Sequence, residues 1–384
     1  MAVFLEAGQN FSAWFWNPGF WLPPNVTWED IRSTDEVRYV EFSDLLASVP
    51  LAVGVLMFRY LFERIVAAPI GQYFNLKDTR PRPAAPNPVL EEAYRHACKP
   101  SHRVVTGLAK QLDVTERHIE RWFRQRRNQD RPSVLRKFTE SCWRFLYYLS
   151  AFVYGVCILW NKPWFWDTTH CWINFPFQPL LPEVYWFYMI EMSFYLSLTF
   201  SQFLDVKRKD FWQMFVHHMC TLMLLTFSWG GNMIRVGTLV LVIHDAVDFW
   251  MEAAKMAKYC RLHRLCDLLF IIFTVMWFLT RLVIFPYRIL YFGLTVGHVM
   301  LNMSVMSAYI IYNGLLVILQ ILHVIWFYMI LRIAYYAVVT GQVQKDGRSD
   351  SESDGDVHDS SGEQEATAKL TAKKFNNHEA KHKG

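Results

Sequence analysis

Two adjacent histidines, His217-His218, interrupt an apolar run from Phe211 to Gly230, and the next run carries Arg235, His244, Asp245, Asp248, Glu252 and Lys255. Ionisable groups inside long apolar stretches are costly, so they mark either a paired structural network or a functional site. His217 and His218 follow Asp210 by seven and eight residues, about 10–12 Å along a helix. Asp248 precedes Met256 by eight residues and Asp245 by eleven, about 12–17 Å from the same end of an antiparallel neighbour. Two histidines and two aspartates therefore meet at one depth. His244, Asp245 and Asp248 share a helical face, with Glu252 and Lys255 further along it. A structural role is expected for Glu252 and Lys255, and a catalytic one for His217, His218, Asp245 and Asp248. A histidine beside a carboxylate can act as nucleophile or general base, with the carboxylate fixing its tautomer and balancing its cation. That chemistry suits acyl transfer from a thioester to an amine. Metal oxidation would need several His-rich clusters, so no metal site and no cofactor is expected.

The elements that must position these residues are membrane helices. A spanning helix needs about 20 mostly apolar residues, because only a helix satisfies its own backbone within lipid. Of the 384 residues 53% are hydrophobic, and the runs at 45–67, 139–160, 184–204, 211–230, 235–257, 265–290 and 306–338 predict about seven spans. The segment 235–257, with its acidic residues, could instead be a buried re-entrant helix. The fold class is thus an all-α integral membrane protein: an anchor helix at 45–67 and a six-helix domain at 139–338. Residues 1–44 precede the anchor, 68–138 form a small helical insert, and 339–384 are a polar tail too poor in apolar residues to fold.

The charges set the topology. Basic residues gather at 68–138, at Lys207, Arg208 and Lys209, and at Lys258, Arg261 and Arg264, whereas 161–183 holds only Lys162 of this kind. The positive-inside rule then puts the tail in the cytosol and the N-terminus in the lumen. The sequon Asn25-Val26-Thr27 agrees, with Asn25 as a glycosylation acceptor. Trp14, Trp16, Trp21 and Trp28 suit an interfacial aromatic belt. Ser349, Ser351 and Ser353 each precede an acidic residue by three positions, an acidophilic phosphorylation pattern. The seven cysteines include no CxxC pair and are expected to be structural thiols.

Between the first two spans, 108–112 and 115–128 read as helix, turn, helix, ending in Trp122-Phe123-Arg124-Gln125-Arg126-Arg127. This resembles a homeodomain recognition helix, although Gln125 replaces the adenine-reading Asn and the first homeodomain helix is not legible. A local Trp122–Phe123 core with arginines facing phosphates is therefore expected ahead of DNA recognition.

The ordered set Asp205 to Phe211, His217-His218, Asn232 to Leu239, His244-Asp245, Asp248 and Glu252 to Met256 resembles the longevity-assurance motif of eukaryotic ceramide synthases. The resemblance spans about 14–345, including Trp16 to Pro23, the homeodomain-like segment and a membrane domain shared with TRAM-type proteins. It implies a multi-pass endoplasmic-reticulum enzyme that transfers a fatty acyl group from acyl-CoA, as co-substrate, to a sphingoid base. It also implies that the paired histidines and the aspartates are required, and that 291–305 helps select acyl length. Lys207, Arg208, Lys209, Arg235 and His244 are then expected to contact substrate. The expected partners are acyl-CoA, a sphingoid base and membrane lipid, with a homo- or hetero-dimer left open. His217 either attacks the thioester to give an acyl-imidazole, or one of the two histidines acts as base for direct amine attack. The rival readings are a non-catalytic lipid-binding or sensing protein and a membrane-tethered DNA regulator.

Overall fold

The computed structural model describes residues 10, 12–76, 78, 83–130, 132–205, 210–295 and 306–340, and all their regular structure is helical. Helix α1, Ser48–Phe62, is extended through Glu63–Ala67 and Ala68–Tyr73. Glu63–Ala67 is a wider i→i+5 turn, placed where the ring of Pro69 would otherwise strike the carbonyl four residues back.

A small three-helix unit follows: α2 Pro88–His96, α3 His102–Leu112 and α4 Glu116–Asp130. Helix α2 is the first helix that the sequence left illegible. Asn87 caps it by accepting from Val89 and Leu90, and Pro88 opens its first turn. Leu90 and Tyr94 of α2 pack with Val105, Leu108, Ile119, Trp122 and Phe123 in one local core. Thr115 caps α4 by accepting from the His118 amide at 3.3 Å.

The remaining long helices are α5 Val134–Leu159, α6 Pro182–Ser201, α7 Phe211–Gly230, α8 Ile234–Tyr259, α9 His263–Trp277 and α10 Ser307–Thr340. Helix α9 continues as a wider coil, Phe278–Tyr291, that contains Pro286. Four helical stretches are long and apolar enough to cross a membrane: Phe42–Tyr73, Glu116–Leu159, His263–Thr295 and Ser307–Val339. This narrows the expectation of seven. Helices α6, α7 and α8 have the length, at 20, 20 and 26 residues, but carry the polar groups that lower their hydropathy. They are also the best enclosed. Phe187, Met189 and Phe194 of α6 and Val247 of α8 have no exposed surface, whereas Leu268, Ile271 and Val275 of α9 and Ile310, Ile321 and Val324 of α10 point outward. The apolar outer faces are where lipid would lie.

Helix α8 runs closest to α5. Their contact depends on Gly155, where a Cβ would sit 2.6 Å from Val242 Cγ2. The turn joining α7 to α8 is fixed by Asn232, in a left-handed conformation (φ 52°), which donates to the Pro176 and Gln178 carbonyls. Trp21 departs from the expected interfacial belt. It is fully buried against Phe15, Phe42 and Phe227, while Trp14 and Trp16 remain exposed. All seven cysteines are free thiols.

Candidate functional site

The site is built from α6 to α10. Helix α7 presents both histidines inward, His217 at 9% and His218 at 6% exposure. His218 is anchored by Gln202, at the end of α6. The Gln202 side-chain nitrogen donates to the Phe211 carbonyl (2.8 Å), so its oxygen is left to accept from His218 Nδ1 (2.9 Å). In the neutral ring that assignment puts the proton on Nδ1 and the lone pair on Nε2. The His217 ring makes no hydrogen bond among the described residues. It stands edge-on to Trp326 of α10, with centroids 5.3 Å apart, and 5.8 Å from the His218 ring.

Tyr195 of α6 is the hub. Its ring lies 6.4 Å from His217 and 6.3 Å from His218, and Asp245, Glu191 and Asp248 all lie within its electrostatic reach. The aspartates take separate partners. Asp248 accepts from Arg281 (3.3 Å), and Arg281 also donates to the His244 carbonyl (2.8 Å) and lies 3.2 Å from His323 Nε2. His244 holds the Val240 carbonyl through Nδ1 (2.6 Å), with its Nε2 3.1 Å from His323 Nε2. Asp245 is fully buried and lies against Glu191 of α6, equally buried. Neither carboxyl makes a well-formed hydrogen bond to a described donor. Among those residues no group of three or more His, Cys, Asp or Glu is placed to hold a metal ion.

A largely apolar cavity is lined by Tyr195, His244, Leu224, Leu225, Val240 and Leu319. Tyr188 also lines it, and its hydroxyl bonds Ser228 (2.8 Å) and the Ile234 carbonyl (3.2 Å). Gly237 is required there, since a Cβ would lie 1.6 Å from the Tyr188 hydroxyl. Two of the residues grouped by sequence take other places. His244 lines the cavity and Asp248 is neutralised by Arg281.

Other expected site residues fall elsewhere. Arg235 donates to the His170 carbonyl (2.8 Å) with its guanidinium 4.7 Å above the Trp164 ring, and so clamps the 161–181 loop. Lys255 pairs with Glu252 at 2.9 Å, both buried, which fits the structural role expected of them. Arg126 is spent within the three-helix unit: it forks onto Glu91 (2.9 Å), bonds Asp130 (2.7 Å) and lies over Tyr94. Its hydrogen bonds hold the Glu91 carboxyl below the usual carboxylate range. Asn25 is exposed on a turn with φ 69°, and Thr27 bonds Asp30 through both its amide and its hydroxyl at 2.8 Å. The Thr27 amide hydrogen bond is the main cause of a lowered Asp30 pKa. Lys207, Arg208 and Lys209, the tail serines Ser349, Ser351 and Ser353, and 296–305 of the chain-length segment lie outside the described residues.

Five groups at the centre were not assigned from the sequence: Glu191, Tyr195, Gln202, Arg281 and Trp326. Glu191 and Arg281 carried the same signal as the aspartates, an ionisable residue in an apolar run. Tyr195, Gln202 and Trp326 carried none, because one aromatic or amide among many is distinguished only by packing.

The model of the TLC domain matches residues 137–332, and that of the homeodomain matches 87–132. Over 348 residues the chain is 47% identical to ceramide synthase 5 of Homo sapiens, covering 90% of this chain and 88% of that protein. Ceramide synthase 4 of Homo sapiens is 42% identical over 358 residues, 93% of this chain and 90% of its own length. Ceramide synthase 3 of Homo sapiens is 44% identical over 343 residues, 89% and 88% of the two chains.

Proposed function

Because the chain belongs to the ceramide synthases, and so transfers a fatty acyl group from acyl-CoA to the amine of a sphingoid base, we propose that the transfer runs at the His217–His218 pair. The observation that carries this is the division of labour between the two rings. His218 is locked by Gln202 with Nε2 as its basic atom, whereas the His217 ring is held by packing alone. A ring without hydrogen bonds can turn onto a thioester carbonyl. In this reading His217 attacks, the C–S bond breaks, and the thiolate leaves with a proton. The sphingoid amine then attacks the acyl-imidazole and restores His217. His218 serves as the adjacent base, and Asp245 supplies negative charge to the site. The acyl chain enters the bundle on the side of the apolar residues that line the cavity.

Direct attack by the amine, with a histidine only as base, remains the second reading. It is favoured by the fixed tautomer of His218, which suits a base whether or not a covalent species forms. Purified protein given sphinganine and a panel of acyl-CoA chain lengths should release CoA only when the amine and a fitting chain are both present in steady state. Lack of sphinganine-dependent CoA release with every chain length would favour a lipid-binding protein instead.

We place this enzyme in the endoplasmic-reticulum membrane with α6, α7 and α8 as interior spans, giving seven in all, a luminal N-terminus and a cytosolic tail. The loop charges and the exposed Asn25 support this orientation. Protease added to sealed microsomes should remove an epitope placed after Lys374, and Asn25→Gln should abolish any glycosidase-sensitive mobility shift. Protection of the tail with digestion of the N-terminus would invert the topology. Lys207, Arg208 and Lys209 are proposed to meet the CoA phosphates at the cytosolic mouth, with the tail serines as phosphorylation sites. DNA recognition by the three-helix unit is not proposed, since Arg126 is occupied internally and Gln125 is half-buried.

A further inference from the structure

We propose that Glu191 and Asp245 form a carboxyl pair that shares a single proton and takes up the proton lost by the sphingoid ammonium, with Glu191 acting through Asp245 as a positioning residue. The inference rests on the functional reading above and adds a residue and a step to it. Both side chains are fully buried and interact with one another, Tyr147 is the one hydroxyl set close to Glu191 among the described residues, and none of the four carboxyl oxygens makes a well-formed hydrogen bond to a described donor. Two ionised carboxylates in contact away from water would repel strongly, and one proton held between them removes that repulsion while keeping one negative charge.

Among the described residues no basic side chain hydrogen-bonds either carboxyl, and Arg281 acts on Asp245 only at longer range. Arg281 of α9 is directed to Asp248, the His244 carbonyl and His323; Arg144 of α5 pairs with Asp205 at 2.8 Å; Lys255 pairs with Glu252. The other groups facing the pair are Tyr147 and Tyr148 of α5 and Tyr195 of α6, with Asp248 on α8. Tyr147 donates to the Ile190 carbonyl at 3.3 Å, beside Glu191. Tyr195, one helical turn from Glu191, lies near the pair and also 6.4 and 6.3 Å from the His217 and His218 rings.

The reaction needs such an acceptor. A sphingoid base is an ammonium near neutrality, as alkyl amines with pKa in the range of lysine are. Forming the amide makes one N–C bond, breaks the bond from the acyl carbon to its leaving group, and removes two protons from nitrogen. One proton departs with the thiol or returns to the imidazole. The other goes to the carboxyl pair, which then releases it to solvent before the next turnover.

Glu191→Gln keeps the shape but cannot share a proton in this way. It is expected to lower the sphinganine-dependent rate about 10²-fold while leaving acyl-CoA binding unchanged. The residual rate should climb about tenfold per pH unit between about pH 7 and 9, because the amine must now arrive deprotonated. Glu191→Asp, which retains a carboxyl, should keep the wild-type pH profile at a reduced rate, and it serves as the test if the Gln variant does not accumulate. A Gln variant with a wild-type pH profile, or an Asp variant with the steep one, would overturn the proposal. If instead wild-type protein releases no CoA with sphinganine, it is the functional reading that fails.

Discussion

His217→Ala is expected to lower sphinganine N-acylation by on the order of 10²–10⁴-fold, with the protein still inserted and still binding acyl-CoA. The structure explains why the loss should be confined to chemistry. The imidazole makes no hydrogen bond among the described residues, so its removal orphans no buried partner, and what is lost is its edge contact with Trp326. That packing is worth on the order of 1–3 kcal/mol, too little to unfold the bundle. Rate, acyl-CoA binding and thermal unfolding measured on one preparation separate the alternatives. A variant that stays active and folded removes His217 from the mechanism, and a variant that loses activity only by unfolding assigns it to the core.

Asp245→Asn should produce a loss of similar size for a different reason. The amide fills the same space against Glu191 but cannot carry charge beside a developing imidazolium or receive the amine proton. Because Asp245 has no hydrogen-bonded cation among the described residues, unlike Asp248 with Arg281 at 3.3 Å, neutralising it should leave thermal stability unchanged or slightly raised. Activity and stability thus move apart. Lys255→Ala is the contrasting control, since it removes the 2.9 Å ion pair from Glu252, only 1% exposed, and should cost stability before rate. If Asp245→Asn instead destabilised the protein in proportion to its loss of activity, Asp245 would belong to the structural network.

Much of the scaffold was legible because apolar run length and helix length are two views of one constraint. The run 211–230 coincides with α7, and 235–257 lies one or two residues inside α8 at each end. Helix α2 escaped because it spans only nine residues and buries just Leu90 and Tyr94, a period too short to stand out. Within the site, spacing along single helices revealed His217-His218 and the Asp245–Asp248 face, since those relations are local. The pairing of Asp245 with Glu191, of Asp248 with Arg281 and of His218 with Gln202 joins different helices, and no spacing rule connects them. The Asn232–Leu239 run shows the converse. It marked the family strongly, yet Asn232, Arg235 and Gly237 there serve the turn, the loop clamp and the close approach of Tyr188.

The most direct test of the account is the mass of the intact protein, followed by peptide mapping, after mixing with acyl-CoA in the absence of any amine. The account predicts one added acyl group, located on His217, absent in His217→Ala, and discharged as N-acylated base when sphinganine is added. Protein that remains unmodified under these conditions, yet forms ceramide at full rate once sphinganine is supplied, would contradict it.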